Sequence, residues 1–293
     1  MLLTLNAACA APWLTSAPKG RTRPLTIYDL PVFAKETLGM AGLSLPTNLL
    51  AGFDRQQLEQ LRERADKSGC AVLLIYEPEP QAFADPTLAD AAVGRMKRVV
   101  QAAHVLGCNA AAVKVKAADW PAELEAAAKK LRSVSEPAEK MDISLLISPH
   151  AGLTSTPERV TDLIKKVGGF RVGTFPDFQA AAATKDPTAY LRRITPYASC
   201  VCASTVSFKD GTPPVHTAYD LNLMVQAVLS VGYDAALSID YRGTGDVTLG
   251  VAQSRDALLA AMKLDEVGPS DEELADLEAE LGEDDGDDAE ETA

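Results

Sequence analysis

The sequence predicts an α/β protein: a single (β/α)8 TIM barrel followed by an acidic, largely disordered C-terminal tail. Three observations carry that expectation. Apolar, strand-like runs alternate with helix-period segments eight times along the chain. The runs are mostly continuous rather than alternating, as expected for strands covered on both faces. And 293 residues, 47% of them hydrophobic, suffice for one large core. Eight βα units close a barrel rather than leave an open doubly wound sheet. No dinucleotide or phosphate-loop glycine motif follows any strand.

In order, the expected strands are Leu2–Cys9, Gly42–Leu50, Ala71–Pro78, Ala110–Ala117, Ile143–His150, Phe170–Phe178, Ser199–Phe208 and Asp234–Gly243. The expected helices are Tyr28–Leu38, Arg55–Ser68, Leu88–Leu106, Trp120–Met141, Thr156–Val167, Pro187–Ala198, Thr217–Val231 and Asp246–Val267. Thr156-Pro157-Glu158 and Asp186-Pro187 are helix starts, with proline in the first turn. Gly69, Gly107, Gly168 and Gly232 each follow a helix, where a left-handed cap favours glycine. Met1–Ala11 is apolar and ends in small residues, as a secretion signal does, but no basic residue precedes the apolar stretch, so it reads as the first strand. The loop from Cys9 to Tyr28, with Lys19, Arg21 and Arg23, leaves the top of that strand and is placed to cover the barrel mouth. The barrel is assigned to residues 1–267 and the tail to 268–293. Ser270 to Glu273 forms a capping-box pattern ahead of Leu274, Leu277 and Leu281.

Composition excludes some roles. No apolar run approaches the ~20 residues that span a bilayer, so no membrane role is expected. Five scattered cysteines are an odd number in a chain that needs no staples, which suggests free thiols and a reducing, cytoplasmic setting. The net charge of −13 belongs to the tail: residues 269–293 hold 13 acids and no Lys or Arg, leaving 28 acidic against 28 basic residues in the body. A neutral body lacks the excess positive charge that nucleic-acid binding uses. The tail suits a basic partner, or keeps the protein soluble.

A barrel builds its chemistry at the C-terminal strand ends. Here these read Ser148-Pro149-His150, Pro176-Asp177-Phe178, Cys200-Val201-Cys202 and Ile239-Asp240-Tyr241-Arg242-Gly243. In order and spacing, residues 143–243 resemble the xylose-isomerase-like barrel superfamily, in particular the sugar phosphate isomerase/epimerase group. More weakly, the resemblance extends over residues 1–267. Ser148-Pro149-His150-Ala151-Gly152 stands for the family's Glu-x-His-Gly-Gly, Asp177-Phe178-Gln179-Ala180 for Asp-Phe-Gly-Asn, and Cys200-Val201-Cys202-Ala203-Ser204 for His-Val-His-Ala-Lys. Ser238-Ile239-Asp240-Tyr241-Arg242-Gly243 stands for Ser-Ile-Glu-Tyr-Glu-Gly.

The resemblance implies aldose–ketose isomerisation or epimerisation of a sugar or sugar phosphate through an ene-diol. In the family a divalent ion, Mg2+ or Mn2+, polarises the carbonyl. The implied metal positions fall on Ser148, Asp177, Cys202 and Asp240, of which Asp177 alone is unchanged. The metal site is therefore degenerate. Zn2+ is the natural ion if Cys200, Cys202, Asp177, Asp240 and His150 converge, and a lost metal is the alternative. Asp177 and Asp240 are the candidate acid/base pair and remaining metal ligands, with Cys202; the competing role for the two acids is loop capping. His150, Lys116, Ser148 and Arg242 are candidate substrate contacts. Lys114 and Lys116 are both expected to point inward, with Lys116 nearer the strand end and so better placed for a phosphate or carboxylate. The basic loop Lys19–Arg23 and Glu77 are weaker candidates, and His216 and His104 read as a solvated and a helical histidine. Two alternatives differ in class. One is a non-catalytic carbohydrate-binding pseudoenzyme on the same barrel; the other is a DNA-repair endonuclease, which would need a rich His and carboxylate set and a basic groove.

Overall fold

A computed structural model describes residues 1–263. Its principal sheet has eight parallel strands: β1 Leu2–Asn6, β2 Gly42–Pro46, β3 Ala71–Gln81, β4 Ala110–Val115, β5 Ser144–Ser148, β6 Val172–Thr174, β7 Cys200–Thr205 and β8 Ala236–Tyr241. The pairing order is β6-β5-β4-β3-β2-β1-β8-β7. Isolated parallel bridges Thr174↔Ala198 and Asp177↔Cys202 join β6 to β7 and close the ring. Close approach at this seam requires Gly173, whose added Cβ would lie 2.2 Å from the Tyr197 carbonyl oxygen.

The outer helices are α1 Leu30–Glu36, α2 Arg55–Ser68, α3 Ala89–Leu106, α4 Pro121–Lys140, α5 Pro157–Val167, α6 Pro187–Ile194, α7 Leu221–Leu229 and α8 Val247–Lys263. Thr156 and Asp186 cap their helices as the sequence suggested, each accepting from a first-turn N–H; Asp220 caps α7 in the same way, and Asp54 forms a capping box with Gln57. Gly69 and Gly107 end α2 and α3 in the left-handed region. The core has two parts. Leu, Val and Ala fill the layer between strands and helices. A smaller cluster of Leu74, Ala110, Ala112, Leu146, Phe175, Cys200, Cys202 and Ala236 fills the barrel interior. Five of these eight interior side chains are alanine or cysteine, which leaves room at the C-terminal mouth.

Met1–Ala11 is built into the barrel, with β1 paired to both β2 and β8. Expected strands one, two, four, five, six, seven and eight extend past the observed ones. After Asn6, Pro46 and Asp177 the chain turns into short helical segments, because side chains or proline there favour a turn over further pairing. The Cys9–Tyr28 loop does not cover the mouth. It contains a short helix, Ala11–Thr15, that buries Trp13 against Phe33 at 5.0 Å between ring centroids. Arg21 lies over Phe33, and Arg23 pairs with Asp29. His216 is buried, not solvated: it sits in a small ribbon of Phe208–Lys209 and Val215–His216 after β7. The tail, its capping-box segment and the end expected for the last helix lie outside the described residues.

Candidate active site

Strand register brings five ends together. Lys114 on β4 is level with Ser148 on β5, Asp177 is bridged to Cys202, and Asp240 on β8 is level with Ser204 on β7. They surround a cavity of about 480 Å3, whose wall includes Asn6, Tyr76, Lys114, Ser148, Phe175, Asp177, Cys202, Asp240 and Arg242. This suits a small ligand. A larger groove of about 800 Å3, at Arg23, Tyr28, Glu63, Arg64 and Lys67, lies on the outer surface against α1 and α2 rather than at the strand ends.

The centre of the cavity floor is an ion cluster. Arg242 is two residues beyond Asp240 and shares its side of the strand, and its backbone N–H donates to Thr205 at 2.7 Å. Its Nε donates to Asp240 Oδ2 at 2.8 Å. Its Nη2 donates to Asp177 Oδ2 at 2.5 Å, and its Nη1 to Asp177 Oδ1 at 3.2 Å and Gln179 Oε1 at 2.8 Å. Nη2 also faces Cys202 Sγ at 3.6 Å. The loop-capping role foreseen for Asp177 is present, alongside an ion pair with Arg242. Its Oδ1 caps the short helix Phe178–Ala182 through the Ala180 N–H at 3.0 Å and accepts from Ser204 Oγ at 3.0 Å, while Oδ2 faces the guanidinium.

The electrostatics separate the two acids. One guanidinium neutralises one carboxylate, and the two-pronged contact gives that role to Asp177. Burial raises its proton affinity, but Arg242 and the Ala180 and Ser204 donors outweigh it and hold the carboxyl below its ordinary value. Asp240 is buried with the remaining negative charge. Desolvation pushes it up, the Arg242 contact opposes this, Asp177 adds to the rise, and Lys114 opposes it. The net direction is upward, so of the two acids Asp240 holds a proton more readily. The Cys202 thiol is pushed well above its usual value by burial and by both carboxylates, and stays protonated. Tyr76 donates to Asn6 Oδ1 at 2.8 Å, and Asn6 Nδ2 faces Cys202 Sγ at 3.9 Å, linking β3, β1 and β7.

The seven other expected residues lie in different places. Ser148, Cys202 and Arg242 line the cavity. Lys116 does not: β4 ends at Val115, so Lys116 leaves the pleat and is exposed, while Lys114 takes the inward place. His150 is half-buried beyond the wall, its ring pushed towards the neutral form by burial and by Lys114 and Lys116. Glu77 faces away from the cavity and pairs with Arg95 Nε at 2.6 Å and Thr47 Oγ1 at 3.0 Å. Cys200 is one layer below the floor, in the barrel interior. Asn6, Tyr76, Phe175 and Ser204 were not singled out in the sequence. The polar ends of β1 and β3 were the available signal for Asn6 and Tyr76.

The family's metal does not fit this cluster. No group of three or more His, Cys, Asp or Glu side chains arranged to hold a metal occurs among the described residues. The reason is visible: the guanidinium lies between the carboxylates an ion would bridge, and Ser148 brings no charge.

A barrel with a polar, charge-lined pocket at its strand ends is a small-molecule site of the α/β-barrel class. The chain belongs to the xylose isomerase-like TIM barrel family, whose model matches residues 33–261. Among solved structures, it is similar to L-ribulose 3-epimerase (TM-score 0.72, 14% identity, 98% of this chain and 99% of that one). It is also similar to D-psicose 3-epimerase from Clostridium cellulolyticum H10 with D-tagatose (TM-score 0.65, 16% identity, 91% and 98%). A third likeness is a xylose isomerase-like TIM barrel protein from Mycobacterium smegmatis in complex with magnesium (TM-score 0.67, 15% identity, 89% and 97%). At these identities the likeness is one of fold. No curated protein sequence matches the chain.

Proposed function

We propose that the protein is a sugar or sugar-phosphate isomerase/epimerase-like enzyme acting in the cytoplasm, with its active site in the cavity above Asp177 and Asp240. One observation carries the reading: two buried carboxylates share one guanidinium, and their proton affinities are driven in opposite directions. Enolisation needs such a split, with one acid able to take and return a proton at a carbon beside a carbonyl. Asp240 is that group. Ionised, it removes the proton from the carbon; the C–H electron pair moves into the new C=C bond, and the carbonyl oxygen becomes an ene-diolate. Reprotonation at the neighbouring carbon by the Asp240 carboxyl, with the hydroxyl proton passing from one ene-diolate oxygen to the other, gives the isomer; for an epimer, water protonates the same carbon on its other face and Asp240 releases its proton to solvent. Lys114, on the cavity wall, is the cation available to the developing oxyanion or to a ligand phosphate. Asp177 and Arg242 set the charge and position of Asp240. Ser148, Tyr76 and Asn6 supply hydroxyl and amide partners for a polyol.

The test is solvent exchange. Ketoses, aldoses and their phosphates are incubated with enzyme in D2O, and loss of the proton beside the carbonyl is followed by NMR. Exchange that is abolished in Asp240→Asn is the expected result. The pseudoenzyme reading is favoured by the same cluster, since Arg242 ties both acids into the scaffold. Sugar binding seen by calorimetry without exchange on any panel member would establish it and sink the enzymatic one.

A further inference from the structure

Arg242 has a consequence beyond the choice of substrate. Its five N–H groups are directed at protein acceptors: Asp240 from Nε, Asp177 and Gln179 from Nη1, Asp177 and Cys202 from Nη2. A group with every donor engaged inside its own chain is not waiting for an anionic ligand. It is itself the ligand of the cradle formed by Asp177, Cys202 and Asp240.

The remaining geometry says what the cradle would hold without it. Cys202 Sγ stands 4.0 Å from Asp240 Oδ2, and Asp177 Oδ2 and Asp240 Oδ2 both contact the same planar guanidinium. With the guanidinium in place no such group is arranged to hold a metal among the described residues; with it removed, two carboxylates and a sulfur would face one small volume, donors of the kind a borderline-soft divalent ion takes at about 2.0–2.3 Å. The guanidinium fills the volume where that ion would sit, and its positive charge repels a second cation at contact distance. The sequence places it there with one residue: position 242 follows Asp240 by two, just past the end of β8, so the side chain reaches back over the floor and across β7 to Asp177.

We propose that Arg242 is the resident cation of this site and the residue that excludes a divalent metal from it. The protein therefore binds its ligand and works without a metal ion, and the Asp177–Cys202–Asp240 cradle is a metal site closed by the protein's own side chain. The proposal rests on this cavity being the functional site, but not on which reaction it performs.

Metal binding tests it directly. Protein stripped with chelator and dialysed is titrated calorimetrically with Zn2+ and with Mn2+, and bound metal is measured by mass spectrometry. Wild type is expected to retain no stoichiometric ion. Arg242→Ala is expected to take up about one equivalent of Zn2+, and the further change Asp240→Asn to abolish it. Arg242→Gln, which keeps most of the side-chain volume without the charge, should bind Zn2+ more weakly than Arg242→Ala. It also serves where Arg242→Ala is poorly folded, as judged by circular dichroism. Stoichiometric metal in wild type that Asp177→Asn or Asp240→Asn removes would overturn the proposal. So would folded Arg242 variants with no more affinity than wild type. These outcomes are separate from the exchange assay: a metal-free protein with no exchange defeats the isomerase reading and leaves this one standing.

Discussion

Arg242 and Asp177 form a clasp across the seam of the barrel: Nη2 stands 2.5 Å from Oδ2 and Nη1 3.2 Å from Oδ1. The pair joins the end of β8 to the chain just after β6, spanning β7 where ring closure otherwise depends on isolated bridges. A side chain expected to contact substrate thus also holds the scaffold together.

Asp177→Asn should therefore cost stability as well as function. It leaves a guanidinium that is 35% accessible with only Asp240 as a charged partner. Breaking a buried pair from one side costs 3–5 kcal/mol in general, and the partial exposure of Arg242 reduces this to about 2 kcal/mol. Urea denaturation at neutral pH measures it. Adding Arg242→Met to Asp177→Asn should restore part of the loss, and a double-mutant cycle gives the coupling.

Asp240→Asn should behave in the opposite way. The folded-state pKa of Asp240 lies above its unfolded value, so between the two the folded state binds the extra proton. Its contribution to stability is present at low pH and is lost as pH rises through the folded value. Asparagine removes that excess negative charge while keeping the shape. The variant should be at least as stable as wild type at neutral pH, and it should lose the part of the pH dependence that Asp240 supplies, while proton exchange disappears. Thermal melting across a pH series, alongside the exchange assay, checks both halves. A variant much less stable than wild type at neutral pH would show that Asp240 is held ionised.

The fold was legible because barrel periodicity is a property of the whole chain: eight apolar runs, helix caps and terminal glycines all agree. Within the site, legibility followed the strand pattern. Asp177, Cys202 and Asp240 were readable because each ends a continuous apolar run. Lys116 was misplaced because nothing local marks the end of pairing at Val115, so the inward lysine turned out to be Lys114. Asn6 was hidden inside an overlong first strand, and Tyr76 sat one pleat position from the more conspicuous Glu77. The clasp itself was not legible, since which acids a guanidinium two residues past Asp240 reaches is decided by barrel curvature.

His216 should make the segment after β7 sensitive to acid. Its Nε2 accepts the Val206 N–H at 3.1 Å, and its Nδ1–H donates to the Tyr219 carbonyl at 2.8 Å, a pairing that requires the neutral ring. Burial holds its pKa below the ordinary value, against an opposing contribution from the Tyr219 contact. The unfolded state then takes up the proton first as pH falls. The stabilising contribution is full above the unfolded value and is lost as pH drops towards the folded one. The loss should set in as pH falls through the ordinary histidine value, about 6.5. His216→Gln should flatten that part of the curve in urea titrations.

Lys114 decides between neutral and anionic sugars. It lines the cavity level with Ser148, and its charge is felt by Asp240 and His150. Among the described residues no carboxylate forms a salt bridge with it, whereas Arg95, Arg159 and Arg242 at comparable exposure are all paired. Holding an ammonium at a half-buried position without a partner is unfavourable, and an incoming phosphate would relieve that cost. Lys114→Met keeps the apolar stem and removes the charge. It should weaken binding of a sugar phosphate by roughly tenfold to a hundredfold, about 1.4–2.7 kcal/mol, and change affinity for the corresponding neutral sugar much less. Calorimetry with matched pairs, at two salt concentrations, reads both. Equal losses for the two ligands would show that the lysine serves the carbonyl end that they share, and would assign it to the oxyanion rather than to a phosphate.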